Sequence, residues 1–251
     1  MNHHLLSVES LVYAYQPGKP VLDGISFEIR PGESVGIIGA NGAGKSTLLL
    51  LMMGILQPAS GQIKVGGVQL TPKTLPAIRQ RLGLVFQDPD DQLFMPTVYD
   101  DVAFGPRNSG LGEIEAAART ERALGMVGIS SLRDRPPFRL SGGEKRAASI
   151  AAVLSMEPDI LILDEPSASL DPRTRRRLIS LLRQFEHTRV ITSHDLDLIL
   201  ETCERTIILD RGKIAASGRT KDVLSDAALL ESAGMELPLA CQNCPVCGSK
   251  K

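Results

Sequence analysis

A continuously apolar run, Val35–Gly39 (VGIIG), leads straight into Gly39-Ala-Asn41-Gly42-Ala43-Gly44-Lys45-Ser46-Thr47. No other feature of the chain limits its fold as much. Apolar residues without alternation mark a strand covered on both faces, as in a parallel sheet. A helix, Lys45–Leu56, is expected to follow. The loop fits G-x-x-x-x-G-K-[ST], in which glycines let the backbone turn so that successive N–H groups face phosphate oxygens at a helix N-terminus. By this reading Gly39, Asn41, Gly42, Ala43, Gly44, Lys45, Ser46 and Thr47 bind a nucleotide. Lys45 reaches the β- and γ-phosphates, and Ser46 ligates Mg²⁺. Average composition makes a chance match roughly a one-in-a-hundred event for a chain of this size.

The surrounding pattern fits an α/β chain. Residues 5–30 alternate apolar and polar positions around Pro17-Gly18 and Pro31-Gly32, which reads as antiparallel strands. Gly61–Leu70 looks like a further hairpin and Leu82–Phe86 like a second buried strand. From Asp88 to Leu140, prolines and glycines interrupt helical stretches, so a helical subdomain of about 88–140 is expected. Gly142–Met156 reads as a helix, Ile160–Asp164 as a buried strand, Pro172–Phe185 as a helix and Arg189–Ser193 as a strand. Strands alternating with helices imply a mostly parallel, doubly wound sheet. The expected fold is a phosphate-loop NTPase with a RecA-like core, an N-terminal antiparallel β-subdomain and the helical insertion, over 5–235.

Composition excludes several classes. With 28 Lys and Arg against 29 Asp and Glu, the net charge is −1, and no nucleic-acid partner is expected. The cluster Arg173, Arg175, Arg176, Arg177 reads as a solvated helix face. The longest apolar run, Leu48–Leu56, falls far short of the roughly 20 residues of a membrane span. No signal peptide is legible at the N-terminus, so a cytosolic chain is expected unless something holds it at a membrane.

Three further motifs carry chemistry. Ile160–Asp164 ends in a carboxylate placed to hold Mg²⁺, and Glu165 beside it can activate an attacking water as general base. Ser141 and Glu144, three apart, form a capping box at the start of a helix. Gly142 and Gly143 are poor helix formers, so capping alone does not explain them. Lacking side chains, they let another group approach the helix N-terminus, and an anion is the natural candidate.

The segment Leu140-Ser141-Gly142-Gly143-Glu144 resembles the signature of the ABC ATPases, and the resemblance extends in order from Leu5 to about Gly218. It implies that Ser141, Gly142, Gly143 and Glu144 face the γ-phosphate of ATP bound to a second subunit, in a head-to-tail dimer of identical or related chains. The family most often has Gln where this chain has Glu144. The resemblance further implies that Gln87 touches Mg²⁺ and the attacking water, that His194 senses the γ-phosphate, and that Asp171 belongs to a loop communicating across the dimer. Tyr15 takes the place of the aromatic that stacks on adenine, with Tyr13 the alternative.

Residues Val85–Phe94, continued through Pro96–Pro106, resemble the ATPases of energy-coupling-factor transporters, importers of vitamins and transition-metal ions. Acidic Asp90 and Asp91 beside Leu93, Phe94 and Met95 suit a groove for an arginine-bearing helix of a partner. The expected partners are therefore integral membrane subunits, with the chain peripheral on the cytoplasmic face. A soluble ATPase acting as an assembly scaffold in iron–sulfur metabolism is the competing reading, since those members also show SGGEK. The tail, 236–251, has no periodicity and is expected to be flexible. Its Cys241, Cys244 and Cys247 have metal-ligand spacing but number one short of the four ligands zinc takes. Nickel or cobalt becomes the preferred cargo if they bind metal. Cys203 reads as a small core residue.

Overall fold

The computed structural model describes residues 5–185 and 187–242. Along the chain run β1 (Leu6–Tyr13), β2 (Leu22–Ile29), β3 (Ser34–Ile38), α1 (Lys45–Met52), β4 (Ser60–Val65), β5 (Val68–Gln69), α2 (Leu75–Arg79), β6 (Leu82–Val85), α3 (Val98–Asn108) and α4 (Glu113–Val127). Then follow α5 (Gly142–Leu154), β7 (Ile160–Asp164), α6 (Pro172–Gln184), β8 (Thr188–Thr192), α7 (Leu196–Thr202), β9 (Arg205–Asp210), β10 (Lys213–Arg219), α8 (Thr220–Ser225) and α9 (Ala227–Ser232). The chain forms two compact units, one of residues up to Ile78 together with those from His187 onward, the other of residues 79–186.

The first unit contains both kinds of sheet that the sequence patterns call for. Strands β2, β1, β4 and β5 form an antiparallel sheet in that order. Its alternating residues pair in register, Leu6 with Ile29 and Val65, Val8 with Phe27 and Ile63, and they supply the buried face. Strand β3 lies between β8 and β9 and runs parallel to both, while β10 pairs antiparallel with β9. All five residues of β3 are buried, which accounts for its unbroken apolar character.

Gly36 has a steric role in that strand. A Cβ there would lie 2.6 Å from Ile199 Cγ2, so α7 packs directly on the β3 backbone. Cys203, at the end of α7, joins this core. Burial pushes its thiol up to about 12, and Thr202 offers it a hydroxyl partner.

Helix α1 stops at Met52, short of the Leu56 that the apolar run suggests. Gly54 takes a left-handed φ of 62°, and the Ile55 N–H donates back to the Leu50 carbonyl at 2.9 Å. That is the Schellman pattern of helix termination, and here hydrophobicity continues past a backbone stop. Leu239–Cys241 form a 3₁₀ turn, and the Asp197 carboxylate accepts the N–H groups of Leu239 and Ala240 at 3.0 and 2.9 Å. Cys244 and Cys247 lie outside the described residues.

In the second unit β6 and β7 pair in parallel, from Leu82 with Ile160 to Val85 with Leu163. Helices α3, α4 and α5 pack on one another, and α5 also packs on β6. A Cβ at Gly83 would meet Val153 of α5 at 2.3 Å. No helix among the described residues is long and apolar enough to cross a membrane.

Two measurements check this packing. Gly36→Ala should lower stability by about 1–3 kcal/mol in urea unfolding, and by less in an Ile199→Ala background. Alkylation near pH 8 should leave Cys203 unmodified in peptide maps of the native chain and label it once urea unfolds the protein.

Candidate functional site

The first unit holds the phosphate loop. Gly39 passes so close to the neighbouring strand that a Cβ would lie 2.2 Å from the Leu209 carbonyl oxygen. Gly44 caps α1 at φ 103°, and a Cβ there would meet Leu22 Cδ2 at 2.6 Å. These two glycines are therefore demanded by local packing as well as by the turn. Gly42, at φ 81°, faces open space, as does exposed Asn41 beside it. Lys45 is buried, its ammonium donating to the Gly39 and Ala40 carbonyls at 2.7 and 3.3 Å. The first turn of α1 carries no acidic residue, so nothing there offsets the positive end of the helix dipole.

Three other sequence-selected residues can be placed against this loop. Ile37 pairs with Thr192, and the Ser193 N–H donates to the Ile37 carbonyl at 3.3 Å. His194 thus leaves β8 at the level where Gly39 leaves β3, at the carboxyl edge where ligands of parallel sheets bind. Tyr15 is 58% exposed, and its hydroxyl lies 3.3 Å from Thr47 Oγ1. Tyr13 belongs to β1, is half-buried, and meets the Tyr15 ring edge-on with centroids 5.0 Å apart. Of the two tyrosines, Tyr15 is the one beside the loop.

The second unit gathers the carboxylates. Since Val85 pairs with Leu163, the chain leaves β6 towards Gln87 at the same edge where β7 ends in Asp164 and Glu165. Gln87 is exposed, Asp164 half-buried and Glu165 buried. Glu165 has φ 44° and Ser169 φ 60°, two of the five left-handed non-glycine residues among those described. Such backbone costs about 1–3 kcal/mol per residue and concentrates at functional sites. Asp171 has a local task that the sequence reading missed: it N-caps α6, accepting from the backbone N–H groups of Arg173 and Thr174 at 2.9 and 3.2 Å. The Thr174 hydroxyl and these N–H groups hold its carboxyl below the usual range.

The capping box at Ser141 is formed in full. The Ser141 N–H and hydroxyl each donate to Glu144 Oε2 at 2.8 Å, and the Glu144 N–H donates to Ser141 Oγ at 3.4 Å. These bonds hold the Glu144 carboxyl below its ordinary range. The two glycines differ in cause. A Cβ on Gly142 would meet nothing, whereas one on Gly143 would lie 2.6 Å from Thr174 Cγ2, so Gly143 is explained by packing against α6. A groove of about 730 Å³ opens beside this helix start, walled by Ile129, Ser141, Gly143, Arg173 and Arg177.

Sequence reasoning did not find the side chains that hold the segment after β6. Buried Arg146 of α5 donates through Nη1 to the Phe86 carbonyl at 2.6 Å and through Nη2 to the Gln87 carbonyl. Gln92 accepts the Phe86 N–H at 3.2 Å and donates to the Ser149 carbonyl at 2.7 Å. Lys145 pairs with Asp90 at 2.6 Å. From the other side Asp101 of α3, buried, accepts the N–H groups of Phe94 and Met95 at 2.9 and 3.0 Å. Burial raises its carboxyl above the usual range. Phe94 and Phe104 stand exposed beside it in an edge-on pair with centroids 5.0 Å apart. The ties from α5 join residues 55 to 60 apart in sequence, beyond the reach of any spacing pattern.

The ABC transporter family model matches residues 22–168. A protein of Geobacter sulfurreducens named as an ABC transporter ATP-binding protein is 54% identical over 99% of this chain and all of its own length. The energy-coupling factor transporter ATP-binding protein EcfA of Methanothermobacter thermautotrophicus is 44% identical over 93% of this chain and 77% of its own. The structure of CbiO1 from Clostridium perfringens, part of the ABC transporter complex CbiONQ, superposes with a TM-score of 0.83. It shares 39% identity and covers 92% of this chain and 94% of its own.

The cap and any role of Ser141 toward a ligand are separable. Ser141→Ala should lower stability by about 1 kcal/mol in chemical unfolding. Ser141→Asn, an equally good cap whose amide can both accept from the Glu144 N–H and donate to its carboxylate, should retain that stability while losing any function that needs the hydroxyl.

Proposed function

The chain belongs to the ABC transporter ATP-binding family and is an ATPase, and from that premise we propose that it energises an importer of the energy-coupling-factor type. The observation that carries this reading is the segment Gln87–Phe94. It presents exposed acidic and aromatic side chains on a backbone pinned by α5 and α3, a firm surface for a helix of a membrane subunit. The likeness to EcfA and to CbiO1 supports it. The chain then works as a peripheral subunit on the cytoplasmic face of the membrane. Its cargo is a transition-metal ion, cobalt or nickel, or a vitamin.

In this reading two copies, or this chain and a relative, clamp two ATP molecules head to tail. The loop Gly39–Thr47 of one copy holds the phosphates through backbone N–H groups and Lys45, while Tyr15 stacks on adenine. Ser141–Glu144 of the other copy completes the site, and Asp171 lies on the loop that communicates between them. Ser46, Gln87 and Asp164 each present an oxygen of the hard kind that Mg²⁺ takes alongside phosphates. When bound, that ion draws charge off the β- and γ-phosphates. Glu165 removes a proton from the attacking water, and His194 and Gln87 orient the γ-phosphate and the water. Closure on ATP and reopening after hydrolysis pass through the Gln87–Phe94 segment to the membrane partner.

Glu165→Gln preserves shape and removes the base. The variant should bind ATP and dimerise as the parent does, while steady-state phosphate release falls by about a hundredfold or more. Parental turnover in Glu165→Gln would overturn the assignment.

A further inference from the structure

Arg146 is 3% exposed, and no step of hydrolysis calls on it directly. Burying a guanidinium is costly unless its donors are matched. Here the two terminal nitrogens are matched to two consecutive main-chain carbonyls, Phe86 and Gln87, where the chain leaves β6. Its Nε has no hydrogen-bond partner among the described residues, so the fit favours those two carbonyls at the expense of the third donor. The carboxylates of Asp88 and Asp164 support the charge from nearby, against the effect of burial.

The neighbours on α5 act on the same stretch of chain. Lys145 holds Asp90, and the Ser149 carbonyl holds Gln92, whose side chain in turn takes the Phe86 N–H. Roughly one turn of α5 therefore grips residues 86–92 at three points. That turn begins at Lys145, about 6 Å along the helix axis from Ser141 at 1.5 Å per residue. A helix this short transmits a push at its first turn as a rigid rod.

We infer that Arg146 is a positioning residue: it makes the main chain at Gln87 follow α5, so Gln87 takes its working place only when a group docked at Ser141–Glu144 has set the helix. The inference rests on the reading above, in which that group is the nucleotide of a second copy. A lysine at this position has one ammonium where arginine has a planar fork, and cannot hold both carbonyls in the same way.

The test is a double-mutant cycle on the full chain, reading kcat and KM for ATP. Arg146→Met should lower kcat about tenfold or more and leave KM within about twofold, because the phosphate loop is untouched. Arg146→Lys should recover part of the loss. In a Gln87→Ala background, Arg146→Met should add little, since the residue acts through Gln87. Losses that multiply in the double variant, or a change confined to KM, would overturn the inference. Where Arg146→Met fails to fold, Arg146→Lys runs the same cycle, judged by the same two criteria. Failure of the reading beneath is told apart by Glu165→Gln: a variant that binds ATP and stays monomeric removes the second copy on which that reading depends, whatever the cycle shows.

Discussion

Main-chain pairing on both sides of β3 is the constraint on which the first unit depends. A strand bonded to β8 and β9 in parallel has no free edge, and its side chains meet cover above and below. Its composition is thereby restricted to small and aliphatic residues, with glycine where α7 comes nearest. The same pairing fixes what happens at the carboxyl end. Gly39 turns away from β3 beside Leu209 of β9, and His194 turns away from β8 at the matching level. The phosphate loop is therefore placed by the hydrogen-bond ladder, and Gly39 is the residue that tolerates the resulting closeness.

The second unit repeats the device with two strands. Register between β6 and β7 brings Gln87 to the edge where Asp164 and Glu165 emerge. Backbone strain at Glu165 and Ser169 is sustained by the buried strand before them and the capped helix α6 after them. Helix α5 then acts on this edge through side chains and on its own first turn through the Ser141–Glu144 box.

Much of this was legible in the residues. Period-two alternation, apolar runs and the phosphate-loop pattern located the strands and the parallel core, because each is a local consequence of backbone geometry and burial. Ile160–Asp164 matches its strand residue for residue. The end of α1 was not read, since Gly54 sits inside an apolar stretch and its left-handed turn leaves no mark in hydrophobicity. The tie between Leu239–Ala240 and Asp197, and the grip of Arg146 and Gln92, were illegible for another reason: they bridge 42 to 60 residues. Spacing rules reach only a few residues along a helix or strand. Gly143 shows the opposite case, in which a motif residue read as making room for a ligand already has a packing cause in Thr174.

Glu144 gives the start of α5 a character that a glutamine would not. An ionised carboxylate accepts both the Ser141 N–H and its hydroxyl, so the helix end carries its own counter-charge. Left alone, this end has little pull on a passing anion, because half a unit of dipole charge is already answered. A glutamine there would keep hydrogen bonds to the cap and bring no counter-charge, so the same helix start would draw anions more strongly.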